Sequence, residues 1–402
     1  MKIEGLEVAI AGAGIGGLSL ATMLARRGAK VVVYDQMAAP QPIGSGFVLQ
    51  PTGLAILERM GLREAIAARG QVITRMHGAL ATGGSSMPGK TVLEISYPGN
   101  GHGIAVQRVA LFDLLLSEAI SAGVRFKTNA RTTGIIEGSR PALALDGSRA
   151  TPSADIVVDA MGASSPIGHD PAKELGYGAL WATVPWPENG PFHRFELEQR
   201  YERASRMAGV LPVGTAKDGA PPMATFFWSL RNRDIDQWHR DGRAAWIEQV
   251  AALWPEAAPL AEIAEPVHAR YRHHTRKPIA GRGVIRIGDA WHATSPQLGQ
   301  GANMAMIDAA SLLSALARAP SIDEAFALHL RHRAPHVWLY QMLSLVLTPF
   351  YQSDSRILPA MRDIAIGPTT RMPLVRQLVS RLVTGDFLSP IERIGLEDFY
   401  GA

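Results

Sequence analysis

The first side chains with a chemically informative spacing are three glycines and one aspartate near the start of the chain. The glycines stand at positions 12, 14 and 17, and Asp35 follows Gly17 by eighteen residues. Glycines at this spacing allow a tight turn and let phosphate oxygens reach free backbone N–H groups at a helix N-terminus, where the helix dipole is positive. An acid at this distance suits a ribose hydroxyl. The pattern therefore predicts a dinucleotide site and leaves NAD and FAD both open.

The flanking sequence predicts the elements that would position these residues. Residues 6–11 are predicted to form a strand, residues 16–27 a helix and residues 30–34 a second strand, which together make a βαβ unit. In such a unit the glycine turn begins the helix, and the acid follows the second strand. The predicted contacts to the dinucleotide are Gly12, Gly14, Ile15, Gly16, Gly17, Asp35 and Gln36.

A second polar, glycine-rich segment lies about 270 residues further along the chain. Residues 283–316 contain a predicted strand, a loop with Gly288 and Asp289, then Pro296, and a glycine-rich entry to a long helix. Free backbone N–H groups are expected near residues 299–303. A dinucleotide at one end of the chain and this loop at the other suggest one long cofactor that contacts both.

This second segment resembles a signature of the class A FAD-dependent monooxygenases, the p-hydroxybenzoate hydroxylase-like flavoprotein aromatic hydroxylase family. The signature is GDAAHxxxPxxGQGxNxxxxDA, and the matching residues are Gly288, Asp289, Ala290, His292, Pro296, Gly299, Gln300, Gly301, Asn303, Asp308 and Ala309. Trp291 departs from it, since a small residue is common there. GSGFVLQPTGLAILERMGL at 44–62 and VQRVALFDLLLSEA at 106–119 resemble two further motifs of the family.

The resemblance implies FAD as the cofactor and NADH or NADPH as the reductant. It implies an enzyme that uses NAD(P)H and O2 to hydroxylate an aromatic or similarly activated small molecule through a flavin C4a-hydroperoxide. The family places Arg108 near the flavin or its phosphates and Asp289 on a ribityl hydroxyl. Pro296 and His292 are the predicted catalytic residues, although a structural hydrogen bond is an alternative role for His292. The remaining predicted cofactor contacts are Gly46, Pro296, Gly299, Gln300, Gly301, Ala302 and Asn303.

The fold class implied by the resemblance is α/β. It comprises a Rossmann-like FAD-binding domain of the glutathione-reductase type, an inserted antiparallel β-sheet domain for the substrate, and C-terminal helices. The predicted FAD-binding domain is discontinuous and comprises residues 1–71, 103–180 and 276–318. The predicted substrate domain comprises residues 72–102 and 181–275, and residues 319–402 form the helical region.

Predicted strands at residues 206–212, 223–230 and 268–273 supply candidate substrate contacts. Strand alternation places Phe226 and Trp228 on one side and Phe227 on the other. One of these sides could line an aromatic pocket, and simple core packing is an equal alternative. His193 and Tyr271 are polar groups that could anchor a substrate. The predicted substrate contacts are Phe226, Trp228, Tyr271 and His193.

The segment DIVVDAMGASSPIG at 155–168 resembles the family's GADGxxSxxR signature, whose Asp-Gly turn is associated with FAD and NADPH binding. Gly162 and Ser165 match, whereas Met161 and Gly168 replace the Asp and the Arg. Loss of both charges is easier to tolerate than loss of one, which would leave a buried charge unpaired. Asp159 either replaces part of the missing carboxylate's role or is a solvated or capping residue. These departures leave NADH and NADPH undecided.

The composition disfavours several other classes of protein. Forty basic and 36 acidic residues give a formal charge of +4 without a long Lys/Arg block, which disfavours nucleic acid as a partner. The chain has no cysteine, and no metal site is predicted. Glycines interrupt the uncharged run at residues 8–25, which disfavours an integral membrane segment. A cytoplasmic enzyme is expected, either monomeric or homodimeric, with at most weak association with a membrane surface.

Three alternatives share the same cofactor motifs. An FAD-dependent dehydrogenase or reductase would act without oxygen insertion, and a non-catalytic protein would bind FAD only. A flavin halogenase should carry a WxWxIP stretch, and WATVPWPENG at 181–190 does not match it. The first two alternatives remain open at this level.

Overall fold

The structure, a computed structural model, describes residues 1–39, 41, 45–83, 85, 89–99, 101–168, 173–366 and 372–395. Its strands, numbered along the chain, are β1 (Glu7–Ala11), β2 (Lys30–Tyr34), β3 (Phe47–Leu49), β4 (Gln71–Ile73), β5 (Arg75–Leu80), β6 (Thr91–Ser96), β7 (Gly103–Val106), β8 (Arg125–Lys127), β9 (Thr132–Ile136), β10 (Ala142–Leu145), β11 (Arg149–Ala150), β12 (Ile156–Asp159), β13 (Lys173–Pro185), β14 (Glu196–Glu202), β15 (Arg206–Gly214), β16 (Met223–Arg231), β17 (Val267–Thr275), β18 (Ala280–Gly281) and β19 (Val284–Arg286). Its helices are α1 (Ile15–Arg26), α2 (Pro51–Arg59), α3 (Arg63–Arg69), α4 (Arg108–Ser121), α5 (Ile235–Leu253), α6 (Ala258–Ile263), α7 (Asp289–His292), α8 (Gly301–Arg318), α9 (Ile322–Tyr351), α10 (Ile357–Met361), α11 (Pro373–Thr384) and α12 (Pro390–Ile394).

A mainly parallel sheet carries the predicted βαβ unit. Its strand order is β18-β19-β12-β1-β2-β8, and only the β18–β19 pair is antiparallel. β1 lies inside the sheet, and its apolar residues from Val8 to Ala11 are all buried, as expected for a strand covered on both faces. The predicted strand, helix and strand near the start of the chain are observed as β1, α1 and β2, with shifts of at most one residue.

Helices α1 and α8 pack closely because small residues meet where they touch. A Cβ atom on Gly16 would lie 3.2 Å from the Cβ of Ala305, and a Cβ on Gly288 would lie 3.2 Å from the same atom. The residues of α8 from Asn303 to Leu316 are buried. The loops that follow β1 and β19 therefore meet at the carboxyl edge of the parallel sheet, where ligands of open α/β sheets bind.

A second sheet has the order β17-β13-β16-β15-β14-β5-β6, in which only the β14–β5 pair is parallel. The strands predicted at residues 206–212, 223–230 and 268–273 are observed as β15, β16 and β17. The predicted boundary between residues 180 and 181 falls inside β13. The first half of β13 contains two glycines, which are depleted in strands, so no residue pattern indicates that the strand begins at Lys173.

The two faces of this second sheet have different neighbours. The half of the molecule that contains the parallel sheet holds the predicted dinucleotide contacts, and we call it the cofactor-binding half. Thr225 on β16 contacts this half, where its Oγ1 accepts a hydrogen bond from Gly46 N at 3.0 Å. We call the Thr225 side the inner face. Its members by strand alternation include Tyr177, Ala179, Trp181, Thr183, Pro185, Met207, Gly209, Leu211, Val213, Met223, Thr225, Phe227, Ser229, Arg231, Val267, Ala269 and Tyr271. The opposite face packs on α5 and α6.

The C-terminal helices pack against the residues that follow β19. Trp291, which departs from the family signature, is 2% exposed and belongs to a cluster with Leu298, Met304, Val337 and Leu382. The indole therefore fills space between the start of α8, α9 and α11, which accounts for a large residue at this position. Among the described residues, no helix is long and apolar enough to cross a membrane, α9 included.

A buried ion pair holds the turn that follows β12. Asp159 is fully buried, and its Oδ2 accepts hydrogen bonds from Arg286 Nε at 3.0 Å and from Ser165 Oγ at 2.7 Å. Its Oδ1 accepts from Met161 N at 3.3 Å. A Cβ atom on Gly168 would lie 3.2 Å from Arg286 Nη2, so the guanidinium occupies the space beside this glycine. Asp159 thus caps the turn and is not a solvated residue, because Arg286 compensates its charge in the interior.

We predict that Asp159→Asn lowers the free energy of unfolding by about 3 to 5 kcal/mol, because Arg286 is then left buried without a counter-charge. The exposed pair Glu137–Arg282 provides a matched control, and Glu137→Gln should leave the unfolding midpoint unchanged. Urea or thermal unfolding of both variants tests the difference. Equal stability losses in the two variants would contradict the structural role of the Asp159–Arg286 pair.

Candidate functional site

The glycine turn between β1 and α1 leaves room for a ligand at one position only. Gly12 has a φ of +104°, and a Cβ atom on it would lie 2.5 Å from the Ala160 carbonyl oxygen. A Cβ on Gly17 would lie 2.1 Å from the Gly12 carbonyl oxygen. Gly14 has an ordinary φ of −78° and open space where its Cβ would stand. The protein's own packing therefore requires Gly12 and Gly17, whereas Gly14 keeps the helix N-terminus open to a phosphate.

Asp35 lies beside this turn, directly after β2. Its Oδ2 accepts a hydrogen bond from Ala13 N at 2.9 Å, and its Oδ1 accepts from Met37 N at 2.9 Å. These two bonds fix the carboxylate, and each oxygen retains a lone pair for a ligand hydroxyl. Of the other residues predicted here, Gln36 is exposed and Ile15 is buried as the first residue of α1.

The loop after β19 presents a second carboxylate. Asp289 is exposed, although Gly288 and Ala290 on either side of it are buried. A Cβ on Gly301, the first residue of α8, would lie 3.7 Å from Asp289 Oδ1. The surrounding protein raises the pKa of the Asp289 carboxyl above its usual range, and the nearby Arg108 guanidinium partly offsets this. Asp289 can accept a hydrogen bond from a ligand hydroxyl at this position.

Asp308 on α8 anchors the loop that carries Asp289. It is fully buried, and its Oδ2 accepts hydrogen bonds from Gly288 N at 2.8 Å and from His292 Nε2 at 2.7 Å. Its Oδ1 accepts from Arg333 Nε at 2.7 Å. Burial alone would raise the pKa of Asp308, but the neighbouring His292 and Arg333 hold it well below its usual range. Asp308 is therefore a charged acceptor, and His292 is held in the interior at 1% exposure.

Arg333 extends this network into the C-terminal helices. Its Nη1 donates to His336 Nδ1 at 2.8 Å, and His336 Nε2 donates to the Gly385 carbonyl oxygen at 3.0 Å. Burial, reinforced by Arg333, lowers the pKa of His336 to about 3, so its Nδ1 is free to accept. Arg333 was not predicted as a site residue. It lies beyond the family signature, and no sequence signal distinguishes it from the exposed arginines nearby.

Side chains at the start of α8 bind neighbouring backbone. Asn303 Oδ1 accepts from Gln50 N at 2.9 Å, and Asn303 Nδ2 donates to the Gly299 carbonyl oxygen at 3.1 Å. Gln300 Nε2 donates to a carbonyl oxygen near the end of α11. Gly299 has a left-handed φ of +61°, which suits the tight turn before the helix. The groups of this segment that can still bind a cofactor are the backbone N–H groups at the N-terminus of α8.

Two buried donors near these loops have no partner among the described residues. They are Arg108 Nε, on the first residue of α4, and Gln50 Nε2. Burial lowers the pKa of Arg108, and Asp289 acts in the opposite direction. The amide of Gln50 lies 3.8 Å from where a Cβ on Gly299 would stand. Orphaned donors of this kind complement a ligand rich in acceptor oxygens. Gln50 was not predicted, although it lies within the family-like stretch at 44–62.

Gly46 lies where the inner face meets the cofactor-binding half. A Cβ on Gly46 would lie 2.4 Å from Val213 Cγ1 and 2.7 Å from Thr225 Oγ1, so only glycine permits this approach. Ser45 Oγ lies 2.9 Å from Thr225 Oγ1 and 3.4 Å from Thr183 Oγ1. A small set of hydroxyl groups is thus gathered at the junction of the two halves.

Aromatic side chains cover the inner face next to these hydroxyls. Trp181 stacks on Phe227 with ring centres 4.9 Å apart, and Tyr271 Oη accepts from Trp181 Nε1 at 2.7 Å. Burial raises the pKa of Tyr271 above its usual range, so the phenol is neutral at physiological pH. Tyr271 therefore lies on the inner face, opposite to Phe226 and Trp228, and Trp181 is a neighbour that the sequence reasoning missed.

Pro296 begins a short 3-10 turn, Pro296–Leu298, and is exposed. The preceding Ser295 is buried, and its Oγ lies 3.0 Å from Ser344 Oγ and 2.7 Å from Thr348 Oγ1 on α9. Ala302 is half-buried at the start of α8. α9 thus fixes the base of the loop on which Pro296 is presented.

Three predicted substrate residues lie away from this region, which corrects the prediction for them. Phe226 and Trp228 are 1% and 3% exposed and pack with Trp246 and Val250, on the face covered by α5 and α6. His193 is exposed, and its backbone N donates to Glu198 Oε1 at 2.7 Å, on that same face. Alternation correctly separated Phe226 from Phe227, but only tertiary packing shows which side faces the cofactor-binding half.

The chain matches the family model described as FAD binding domain over residues 5–321. The protein therefore belongs to this family of FAD-binding proteins. Among its curated relatives, the 6-hydroxynicotinate 3-monooxygenase of Bordetella bronchiseptica is 26% identical over 81% of this chain and 86% of that protein. The FAD-dependent urate hydroxylase of Mycolicibacterium vanbaalenii is 26% identical over 76% of this chain and 78% of that protein.

Solved structures share the fold across most of the chain. The tetrameric form of 2-methyl-3-hydroxypyridine-5-carboxylic acid oxygenase superposes with a TM-score of 0.78 at 19% identity, covering 97% of this chain and 98% of that chain. HpxO of Klebsiella pneumoniae, complexed with FAD and uric acid, gives a TM-score of 0.77 at 19% identity, covering 94% and 97% of the two chains. The predicted α/β fold class is confirmed.

These findings establish an FAD-dependent monooxygenase of the class A type, for which NAD(P)H is the typical reductant. The alternatives, a dehydrogenase without oxygen insertion and a non-catalytic FAD-binding protein, receive no support from them. The described residues fit the cofactor. Gly14 and the N-terminus of α1 could hold its diphosphate, Asp35 could bind a ribose hydroxyl, and Asp289 and Arg108 could bind its oxygen-rich chain.

We predict that Gly14→Ala weakens FAD binding by about tenfold or more, because the added methyl group occupies the space left for the diphosphate. The apoprotein should keep its unfolding midpoint, since that methyl meets no protein atom within 4 Å. Gly17→Ala is the matched comparison and should destabilise the apoprotein by about 1 to 3 kcal/mol, because its methyl collides with the turn. FAD titration and unfolding of both apoproteins separate the two effects. Wild-type FAD affinity in Gly14→Ala would show that no ligand approaches this glycine.

Proposed function

We propose that this enzyme hydroxylates an uncharged aromatic or heteroaromatic small molecule, with O2 as the oxygen source and NADH or NADPH as the electron donor. The observation that carries the proposal is the chemistry of the inner face. The members around Thr225, namely Trp181, Thr183, Leu211 and Phe227, are uncharged, and the charged member Arg231 lies six residues further along β16, where it pairs with Asp354. A carboxylated substrate would need a cation to compensate its desolvation, and the part of the face around Thr225 supplies none.

The hydroxyl groups where the inner face meets the cofactor-binding half favour a substrate ring that carries a hydroxyl group or a ring nitrogen. Thr183, Thr225 and Ser45 can each donate or accept, so they can orient a polar substituent of either type. Trp181, Phe227 and Tyr271 provide a flat aromatic wall beside them. A few placed polar groups on a mainly apolar wall are typical of small-molecule sites.

The chain's own contribution to the reaction is positioning and exclusion of water. When bound, FAD accepts electrons from the nicotinamide and activates O2 for transfer to the substrate ring. The apolar inner face keeps water away from the reacting atoms, which protects activated oxygen from unproductive loss. The N-terminus of α8 favours negative charge on a group placed against it. The aromatic wall holds the substrate ring in one orientation.

We assign His292 a structural role rather than a proton-transfer role. Its Nε2 donates to Asp308 and its side chain is 1% exposed, so it has no described route to a substrate proton. Pro296 remains the proposed catalytic-loop residue, because it is exposed on a turn that α9 holds in place.

The names of the relatives support a heteroaromatic ring as the substrate. They also raise the question of whether that substrate is charged. One relative is named for 6-hydroxynicotinate, which carries a carboxylate, and another for urate. 2-Hydroxypyridine is 6-hydroxynicotinate without its carboxylate, so the two compounds form a matched pair. The inner face favours the neutral member.

The test is oxygen-dependent NAD(P)H oxidation by the purified, yellow holoenzyme with each member of this pair and with neutral phenols and quinolones. We expect neutral compounds to stimulate NAD(P)H oxidation and to gain one oxygen atom, which mass spectrometry detects. Thr183→Val, a nearly isosteric change, should raise KM by about tenfold while leaving the FAD content unchanged. Exclusive turnover of carboxylated compounds would contradict the proposed substrate class, and product formation without O2 would contradict monooxygenation itself.

A further inference from the structure

Exposed large apolar side chains are concentrated in the C-terminal part of the chain. Of sixteen such residues in the part of the chain that the structure describes, eleven lie beyond residue 330. We call these eleven the C-terminal apolar surface. They are Trp338, Met342, Leu345, Val346, Ile357, Met361, Ile364, Met372, Leu374, Leu378 and Leu388. Single exposed apolar residues are ordinary, but such a concentration marks an interaction surface.

Helical spacing aligns these residues along individual helices. On α9, Trp338, Met342, Leu345 and Val346 follow the i, i+4, i+7, i+8 pattern of one face. Residues 334–351 contain no Asp, Glu, Lys or Arg. On α11, Leu374 and Leu378 are exposed one turn apart, and Leu382, one further turn along the same row, is buried. α9 therefore leaves an apolar face to solvent, and the apolar face of α11 is exposed in its first two turns and packed on the protein at its end.

The three helices are neighbours in the fold. Tyr340 Oη on α9 donates to the Leu382 carbonyl oxygen on α11 at 2.8 Å. Directly after α10, Arg362 Nη1 donates to the Phe350 carbonyl oxygen on α9 at 3.1 Å. α9 thus contacts both the end of α11 and the residue that follows α10, so the three helices belong to one region of the molecule.

Exposed arginines accompany this surface. They are Arg331, Arg356, Arg376 and Arg381. None of them forms an ion pair with a carboxylate among the described residues. Of the acids nearby in sequence, Asp354 pairs with Arg231 and Arg233, and Asp363 pairs with Arg362, whereas Asp386 lies five residues after Arg381 and interacts electrostatically with it. The surface is therefore apolar, and the positive charge around it is only partly offset by these acids.

We propose that the C-terminal apolar surface binds the surface of a membrane that contains anionic lipids. Amphipathic helices with apolar and aromatic residues on one face and arginines beside it lie in the lipid interface, where acyl chains and anionic headgroups match both features. A second copy of the chain is the less suitable occupant, because a two-fold interface would bring together two copies of the same net positive surface. The association is peripheral and places the catalytic half next to a lipid phase.

The test is flotation of the holoenzyme with vesicles of pure phosphatidylcholine and of phosphatidylcholine with about 30% phosphatidylglycerol. We expect the enzyme to float with the anionic vesicles and to remain unbound with the neutral ones at low salt. Leu374→Gln combined with Leu378→Gln, and Arg376→Gln combined with Arg381→Gln, should each lower the bound fraction by about tenfold. Ile120→Gln, which removes an exposed apolar residue on α4, is the matched control and should bind as the wild type does.

Light scattering measures the oligomeric state of the protein and tests the alternative that the C-terminal apolar surface is a dimer interface. The proposal is overturned if the wild type is dimeric, does not bind vesicles, and becomes monomeric when Trp338→Gln is combined with Leu345→Gln. In that case the surface is a dimer interface. Failure of the wild type to float with anionic vesicles overturns the proposal equally. The flotation variants at Leu374 and Leu378 and at Arg376 and Arg381 replace exposed side chains. We therefore expect them to keep the fold and the FAD content of the wild type, so that a loss of flotation reports a loss of membrane binding.

Discussion

The hydrogen bonds to one buried carboxylate, Asp308, determine how the distant parts of this enzyme meet. One of its oxygens holds Gly288 and His292, on the loop that presents Asp289. The other holds Arg333, on a helix that begins after the family match has ended. Since a buried carboxylate without a counter-charge is unstable, Arg333 is what allows Asp308 to act as a charged acceptor. The placement of a cofactor-binding loop thus depends on a residue of the C-terminal helices.

A second constraint is close approach between backbones. The contact between α1 and α8 brings Gly16 close to Ala305, and the meeting of the two sheets requires Gly46. A methyl group on Gly16 would press on Ala305, and a methyl group on Gly46 would collide with Val213 and Thr225. Gly14 differs from them because its missing side chain leaves space open to solvent. The same residue type therefore has two functions in one motif, packing at Gly12 and Gly17 and ligand access at Gly14.

Residues in local patterns could be predicted from the sequence, and residues that depend on tertiary packing could not. The βαβ unit, the position of Asp35 and the loop at 288–303 follow from spacing and from family resemblance. Strand alternation separated Phe226 from Phe227, but the side that faces the cofactor-binding half depends on where Thr225 meets Gly46. The pairing of Asp159 with Arg286 joins residues 127 positions apart, which no local pattern encodes. Arg333 was missed for the same reason.

The most direct test of this account is the FAD dissociation constant of the Arg333→Met apoprotein, compared with that of Arg331→Met two residues earlier on α9. Arg333 touches no residue that we assign to cofactor binding, and it reaches the predicted cofactor contacts directly through Asp308 and more distantly through His336 and the end of α11. The account predicts that Arg333→Met weakens FAD binding by about tenfold or more, whereas the exposed Arg331→Met binds FAD as the wild type does. A folded Arg333→Met protein with wild-type FAD affinity would contradict the central role of the Asp308–Arg333 pair.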